Sequence, residues 1–404
     1  MARYLCVVLG AVLGAFLLAS CGNVSTQTNT FQPQPNPNTS PTPEPAAVVH
    51  VSDFFSAGIL TVVEDLDNVG ASDVSTNVTA PLPHTDAILR SFSGLVYVVN
   101  RLGRDSIQVV DPELGFDTIL EFSTGAGTNP HDILVLSPSK AYVLLYEPEA
   151  VAGRQELMVV NPSTGAILKQ IDLTLFTDDD GERLARPERM IKVGQQVWIL
   201  LQDLSSSFIA DTNGKIAVID SVSDSYVDAD PLAVGIQGIA LEGRNPSSLA
   251  YDASNGWVFV SMTGVFQPDF STDTADPYGG IEAVDPDTYT SFGIVVDDAD
   301  LGGYPWGIQV HSSGLAFTTA DSKRVASFNP SNFAVLQKNL YASPGTFLPE
   351  ILLDGEGHLL VTERGDLQGQ DAGLIILDIT DNFSVQGPID VGGPPNSLAV
   401  VELE

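Results

Sequence analysis

From Val48 onward, apolar residues come in short, nearly unbroken runs divided by turn residues, and the runs recur in a fixed cycle. A proline followed by an apolar stretch opens the cycle: Pro83-His-Thr-Asp-Ala-Ile-Leu, Pro130-His-Asp-Ile-Leu-Val, Pro187-Glu-Arg-Met-Ile-Lys-Val, Pro246-Ser-Ser-Leu-Ala-Tyr, Pro305-Trp-Gly-Ile-Gln-Val, Pro349-Glu-Ile-Leu-Leu and Pro395-Asn-Ser-Leu-Ala-Val-Val. A turn such as Ala253-Ser-Asn-Gly256 or Ser312-Ser-Gly314 leads to a second run, as in Leu95-Val-Tyr-Val-Val-Asn100, Val197-Trp-Ile-Leu-Leu201 and Trp257-Val-Phe-Val-Ser261. The third run ends in Asp or Asn and a turn, as in Ile107-Gln-Val-Val-Asp-Pro112 and Ile281-Glu-Ala-Val-Asp-Pro286, and a weaker fourth run returns to the next proline. Runs this short, rich in β-branched and aromatic residues and bounded by Gly, Pro, Asn and Asp, predict strands rather than helices.

The prolines at 83, 130, 187, 246, 305, 349 and 395 are separated by 47, 57, 59, 59, 44 and 46 residues. That period fits four-stranded propeller blades with loops of varying length, and strand-turn solenoids are the alternative. The two ends decide between them. Residues 48–53 and 59–63 match the second and third runs with no proline run before them, and the missing first run lies at 395–402. The expectation is an all-β, seven-bladed β-propeller over 47–404, closed by pairing the C-terminal strand with the N-terminal blade, which removes two open sheet edges.

Tyr97-Val-Val-Asn100 followed by Ile107-Gln-Val-Val-Asp-Pro112, with Pro-His at 83–84 and 130–131, resembles the YVTN-repeat (YncE-like) seven-bladed propellers. The resemblance implies that the first strand of each blade lines a central channel. It also implies that the loops entering that strand share one face with the loops between second and third strands. Those loops are long at 146–156, 202–214, 263–280 and 363–373, and the entry loops at 172–186, 226–245 and 295–304 are long as well. Long loops gathered on one face of a rigid scaffold point to binding.

The first 46 residues follow a different rule. Arg3, an apolar run to Leu18 and small residues before a cysteine lay out an export signal over 1–20. Leu18-Ala-Ser-Cys21-Gly22 resembles the bacterial lipoprotein signal, which implies cleavage before Cys21 and lipidation of its thiol and amine. Acyl chains add about 0.8 kcal/mol per buried methylene, so Cys21 alone would hold the chain on a membrane. Gly rather than Asp at 22 implies, by the same resemblance, the outer membrane of a Gram-negative envelope. Residues 21–46 are polar and Pro-rich and read as a disordered tether.

Charge then narrows the partners. With 17 Lys+Arg against 51 Asp+Glu, the net charge of −34 argues against nucleic acid and against anionic lipid bound through charge. Both cysteines, Cys6 and Cys21, precede the repeats, so no disulfide framework, thiol catalysis or covalent haem attachment is available there.

The residue after each proline is expected near the channel mouth: His84, His131, Glu188, Ser247, Trp306, Glu350 and Asn396. His84, His131, Glu188, Glu350 and Asn396 suit Zn²⁺ or a similar ion as candidate metal ligands, or else are structural, since Pro-His is a repeat element of the resembling family. Asp178, Asp180 and Glu182 offer hard oxygens for a possible Ca²⁺ loop, as do Asp297-Asp-Ala-Asp300, although neither has EF-hand spacing. No Gly-x-Ser-x-Gly elbow, His-Glu-x-x-His pair or phosphate loop is present, so no catalytic residue is assigned. Two functions follow: a lipid-anchored envelope module binding a protein, glycan or cationic ligand through an acidic, loop-rich face, or a metal-dependent (Ca or Zn) hydrolase or lactonase with its ion in the channel.

Overall fold

The computed structural model describes residues 44–178, 183–205, 207–266, 272, 274–345, 347–366 and 370–403. The export signal, Cys21 and most of the tether lie outside the described residues. The described chain forms seven antiparallel blades of four strands, six in sequence order and one completed by the C-terminal strand, with a fifth short strand, Ile239–Ala240, in blade 4 and a separate two-stranded sheet beside it.

The innermost strands are Pro395–Leu403 in blade 1, Ala87–Phe92 in blade 2, Pro130–Ser137 in blade 3 and Pro187–Val193 in blade 4. Pro246–Asp252, Pro305–His311 and Ile351–Leu353 serve blades 5, 6 and 7. Neighbouring innermost strands touch in this order, and blade 7 touches blade 1, which closes the ring.

The apolar runs are unbroken because each blade is buried on both faces. Successive strand residues point to opposite faces. In the second strand of blade 2, Val96 and Val98 therefore join a cluster shared with blade 1, while Tyr97 and Val99 join one shared with blade 3. Seven such clusters fill the seven spaces between blades. Outer strands meet solvent on one face, so Asp117–Ser123 alternates exposed with half-buried positions. That alternation is why the fourth run is the weakest in the sequence.

Blade 1 is assembled from both ends of the described chain. Glu44–Val51 pairs with Ile59–Val63 on one side and with Pro395–Leu403 on the other, with Glu44 opposite Leu403 and Val51 opposite Pro395. The strand starts at Glu44, so Glu44–Ala46, expected at the end of the tether, belong to the propeller instead. Side chains secure the joint between blades 7 and 1: Thr61 Oγ1 donates to Val391 O at 2.7 Å, and His358 links Asp354 (2.6 Å) to Asp67 (3.2 Å).

Entry loops and second-to-third loops do share a face. Arg183–Leu184, entering blade 4, pairs with Leu204–Ser205 from its second-to-third loop. The stretch expected as a loop at 295–304 is partly regular: the outer strand runs to Asp297 and a short helix covers Asp298–Leu301.

Candidate functional site

In five blades the innermost strand slips register against the second strand directly after its proline. Pro130, for instance, pairs with Leu145 and Asp132 with Leu144, which leaves His131 as an extra residue. Such bulges re-aim a side chain and recur beside functional sites. In three of these blades the residue before the proline is left-handed, with φ of 49° at Asn129, 46° at Arg186 and 51° at Asn245. Together the bulges place His131, Glu188, Ser247, Trp306 and Asn396 around a cavity of about 680 Å³ at the loop-rich end of the channel, and Glu350 of blade 7 lines it as well.

His84 is the exception. Blade 2 has no bulge, and Ala87 pairs directly with Asn100. Asp86 O accepts from Arg101 N just as Asn129 O accepts from Tyr146 N, so Asp86-Ala87 occupies the place of Asn129-Pro130. Pro83-His84 therefore precedes the strand, and the sequence frame was four residues early there. Asp86 lines the cavity and His84 does not; its ring sits over Gly103, and its N–H donates to Asn100 Oδ1 at 2.7 Å.

The cavity wall carries Arg90, Arg101 and Arg189 together with Asp86, Asp132, Glu188 and Glu350. Arg90 is the hub: its Nε lies 2.7 Å from Asp132 in blade 3, and its Nη1 lies 3.3 Å from Glu350 in blade 7. The other oxygens of those carboxylates are also engaged. Asp132 Oδ2 accepts from Met190 N at 3.0 Å, while Glu350 Oε2 accepts from Ser397 Oγ at 2.5 Å and Leu398 N at 2.8 Å. Arg189 Nη1 stands 2.8 Å from Glu188 Oε1, and Arg101 Nε stands 3.4 Å from Asp86.

His131 and Glu188 form the most buried pair in this wall, at 5% and 6% exposure. His131 Nδ1 donates to Glu188 Oε2 at 2.6 Å, and the imidazole stacks on Tyr146 with centroids 4.0 Å apart. Burial, reinforced by the Arg101 charge, lowers the imidazole pKa to about 4 against the pull of Glu188. Burial would raise the Glu188 carboxyl, but Arg189, His131 and Arg101 outweigh it and hold the pKa at about 2. At neutral pH the pair is therefore a neutral imidazole donating to a carboxylate. This tautomer leaves a lone pair on His131 Nε2, which is buried and has no hydrogen-bond partner among the described residues. Arg101 Nε, out of line with Asp86, likewise makes no hydrogen bond.

Arginine–aromatic contacts border the mouth. Arg186 lies 5.1 Å from the Tyr146 ring and 4.7 Å from Phe208, and Arg364 lies 4.1 Å from Phe54. A chain of strong net negative charge thus places five guanidinium groups, those of Arg90, Arg101, Arg186, Arg189 and Arg364, at or beside the channel.

The remaining expected ligands are scattered. Asn396 Nδ2 donates to Ala87 O at 3.1 Å, and Glu350 is held by Arg90. Among the described residues, no three His, Cys, Asp or Glu side chains stand together in a way that could hold a metal ion. In the possible calcium loop, Asp178 forms an ion pair with Lys215, while Asp180 and Glu182 lie outside the described residues. Asp297 caps the short helix by accepting from Ala299 N at 2.8 Å.

Arg90, Arg101, Asp132, Tyr146 and Arg189 were not anticipated. Asp132 and Arg189 each directly follow a post-proline residue, so widening that position to two residues would have found both.

No protein-family model matches the sequence, and no curated protein matches it. Solved structures do share the fold. Apo AztD from Citrobacter koseri is similar with a TM-score of 0.51 at 12% identity, over 89% of this chain and 99% of that one. The extracellular domain of the putative one component system BT4673 from B. thetaiotaomicron aligns at a TM-score of 0.49 and 14% identity, over 77% of this chain. This chain spans only 37% of that structure's length.

Proposed function

We propose that this chain is an exported, lipid-anchored binding module that takes a small ligand into the central cavity, with the outer loops framing access to it. The observation that carries this is the cavity itself: about 680 Å³, reached from the loop-rich face and lined by groups from all seven blades. Pockets of this size with a few convergent polar groups are the usual form of a small-molecule site. A metal-dependent hydrolase needs a carboxylate free to meet its ion, whereas Glu188 and Glu350 already have both oxygens engaged.

Full-length protein incubated with a metabolite extract, washed and denatured should release a stoichiometric small molecule, identified by mass spectrometry. Trp306→Ala should release much less. Equal release by the two proteins would place binding elsewhere. Anchoring through Cys21 is supported by the Leu18-Ala-Ser-Cys21 stretch, and labelled palmitate should enter the wild-type chain but not Cys21→Ala.

A further inference from the structure

Resting on the cavity as the ligand site, we infer that its ligand is a neutral, hydroxyl-rich ring compound, a sugar or cyclic polyol, rather than an ion. The wall is dense in charge, with three guanidiniums against four carboxylates, and each member has an opposite partner. Arg90 is matched by Asp132 and Glu350, Arg189 by Glu188, and Arg101 by Asp86. An anion would have to displace a carboxylate and leave it uncompensated in a half-enclosed space, which is strongly unfavourable, and a cation would have to compete for Asp132, Glu188 and Glu350 oxygens that already hold donors. A hydroxyl breaks none of these pairs, because it donates to the outer lone pairs of a paired carboxylate and accepts from the outer hydrogens of a paired guanidinium.

The unmatched atoms point the same way. His131 Nε2 needs a donor and Arg101 Nε needs an acceptor, and both residues line the same cavity. A hydroxyl can answer either requirement. An ammonium could serve only the first, and a carboxylate only the second.

Across the ring from His131 stands Trp306, half-buried, whose backbone carbonyl accepts from Ser247 Oγ at 2.8 Å and from Ser261 Oγ at 2.7 Å. Its strand is thereby fixed, and the indole is a flat apolar surface facing a polar wall. That division suits a molecule with hydroxyls around its edge and C–H groups on its face.

The test is titration calorimetry of the full-length chain with maltose, cellobiose, xylobiose and myo-inositol, beside galacturonate as an anionic ring and glucosamine as a cationic one. At least one neutral probe should bind, about tenfold or more tighter than either charged ring. Trp306→Ala should weaken it about tenfold through lost ring contact, and Arg101→Met about tenfold through the lost hydrogen bond. Trp306 is partly exposed and outside the ion pairs, so this variant keeps the fold if His131 variants do not. Tighter binding of galacturonate or glucosamine would overturn the ligand class and leave the cavity as a site. Silence from every probe would also overturn the class, and the metabolite-capture experiment would then decide for the cavity alone.

Discussion

The chain contains the dipeptide Pro-His twice, in blades 2 and 3, and places the two copies in different surroundings. In blade 3 the proline starts the innermost strand, the histidine is bulged into the channel, and its ring forms the buried pair with Glu188. In blade 2 the same two residues stop short of the strand. There the backbone carbonyl of His84 accepts from His50 Nε2 at 2.9 Å, and the His84 ring accepts only locally, its Nδ1 from Asp86 N at 3.2 Å. What separates them is register against the second strand. Distance from a proline does not set a residue's place in a blade; the hydrogen bond from the second strand does, and it selects Asp86 in one blade and Asn129 in the other.

The contrast breaks most sharply at Glu188. Glu188→Ala should leave Arg189 and the His131 Nδ1–H without a buried acceptor and destabilise the protein by about 3–5 kcal/mol in urea denaturation. A loss as small as that of a surface variant would mean that the blade 3 histidine is no more integral than the blade 2 one.

Acid should reveal the same asymmetry. The folded-state pKa of His131 lies near 4, below its ordinary 6.5, so its contribution is complete above pH 6.5 and is lost as pH falls through 4. Glu188, lowered from 4.5 to about 2, adds a loss further down. Over pH 6.5 to 4 stability should decline by up to about 1.4 kcal/mol per pH unit through His131 alone. His50, likewise buried and lowered to about 4, adds a like slope over the same interval, so His131→Phe should about halve it; an unchanged slope would assign the acid sensitivity to other groups.

A third histidine titrates in the opposite sense. The Asp354 hydrogen bond raises the His358 pKa above 6.5, against a smaller opposing effect of burial. Its contribution is therefore full below pH 6.5 and lost as pH rises through the raised value. Because its Asp354 partner is buried, His358→Asn should lower stability at pH 6 by about 1–3 kcal/mol, and by less at pH 9. An effect that grew with pH would contradict the assignment. The smallest change belongs to His84→Ala, expected within about 0.5 kcal/mol of wild type by the same urea assay. A loss comparable to Glu188→Ala would erase the contrast.

Most of the architecture was legible because propeller blades bury both faces. Continuous apolar runs such as Val96 to Val99 are the direct imprint of two clusters sharing one strand. The closing strand was legible too, from a missing first run at 48 and a surplus one at 395. The site was only half legible. Five bulged positions were found because a proline precedes each of them, whereas blade 2 lacks the bulge and misled the count. Arg90 and Arg101 carry no motif: one sits at the end of an apolar run, the other just beyond a strand, and only the closed ring brings them to the same wall as Asp132 and Glu188. A net charge summed over the whole chain does not register arginines collected at a single opening.

The joint in blade 1 has a consequence for how the protein comes into being. The strand Glu44–Val51 is made before the other blades, yet one of its two neighbours, Pro395–Leu403, follows all of them. Closing so long a loop adds little thermodynamic penalty, because that term grows only logarithmically with length. In time, however, the ring waits, and until Pro395–Leu403 arrives an apolar edge stays open to any other strand it meets. A nascent chain cut anywhere before Pro395 cannot conceal that edge, so the strand Pro395–Leu403 reports that every blade before it has been made.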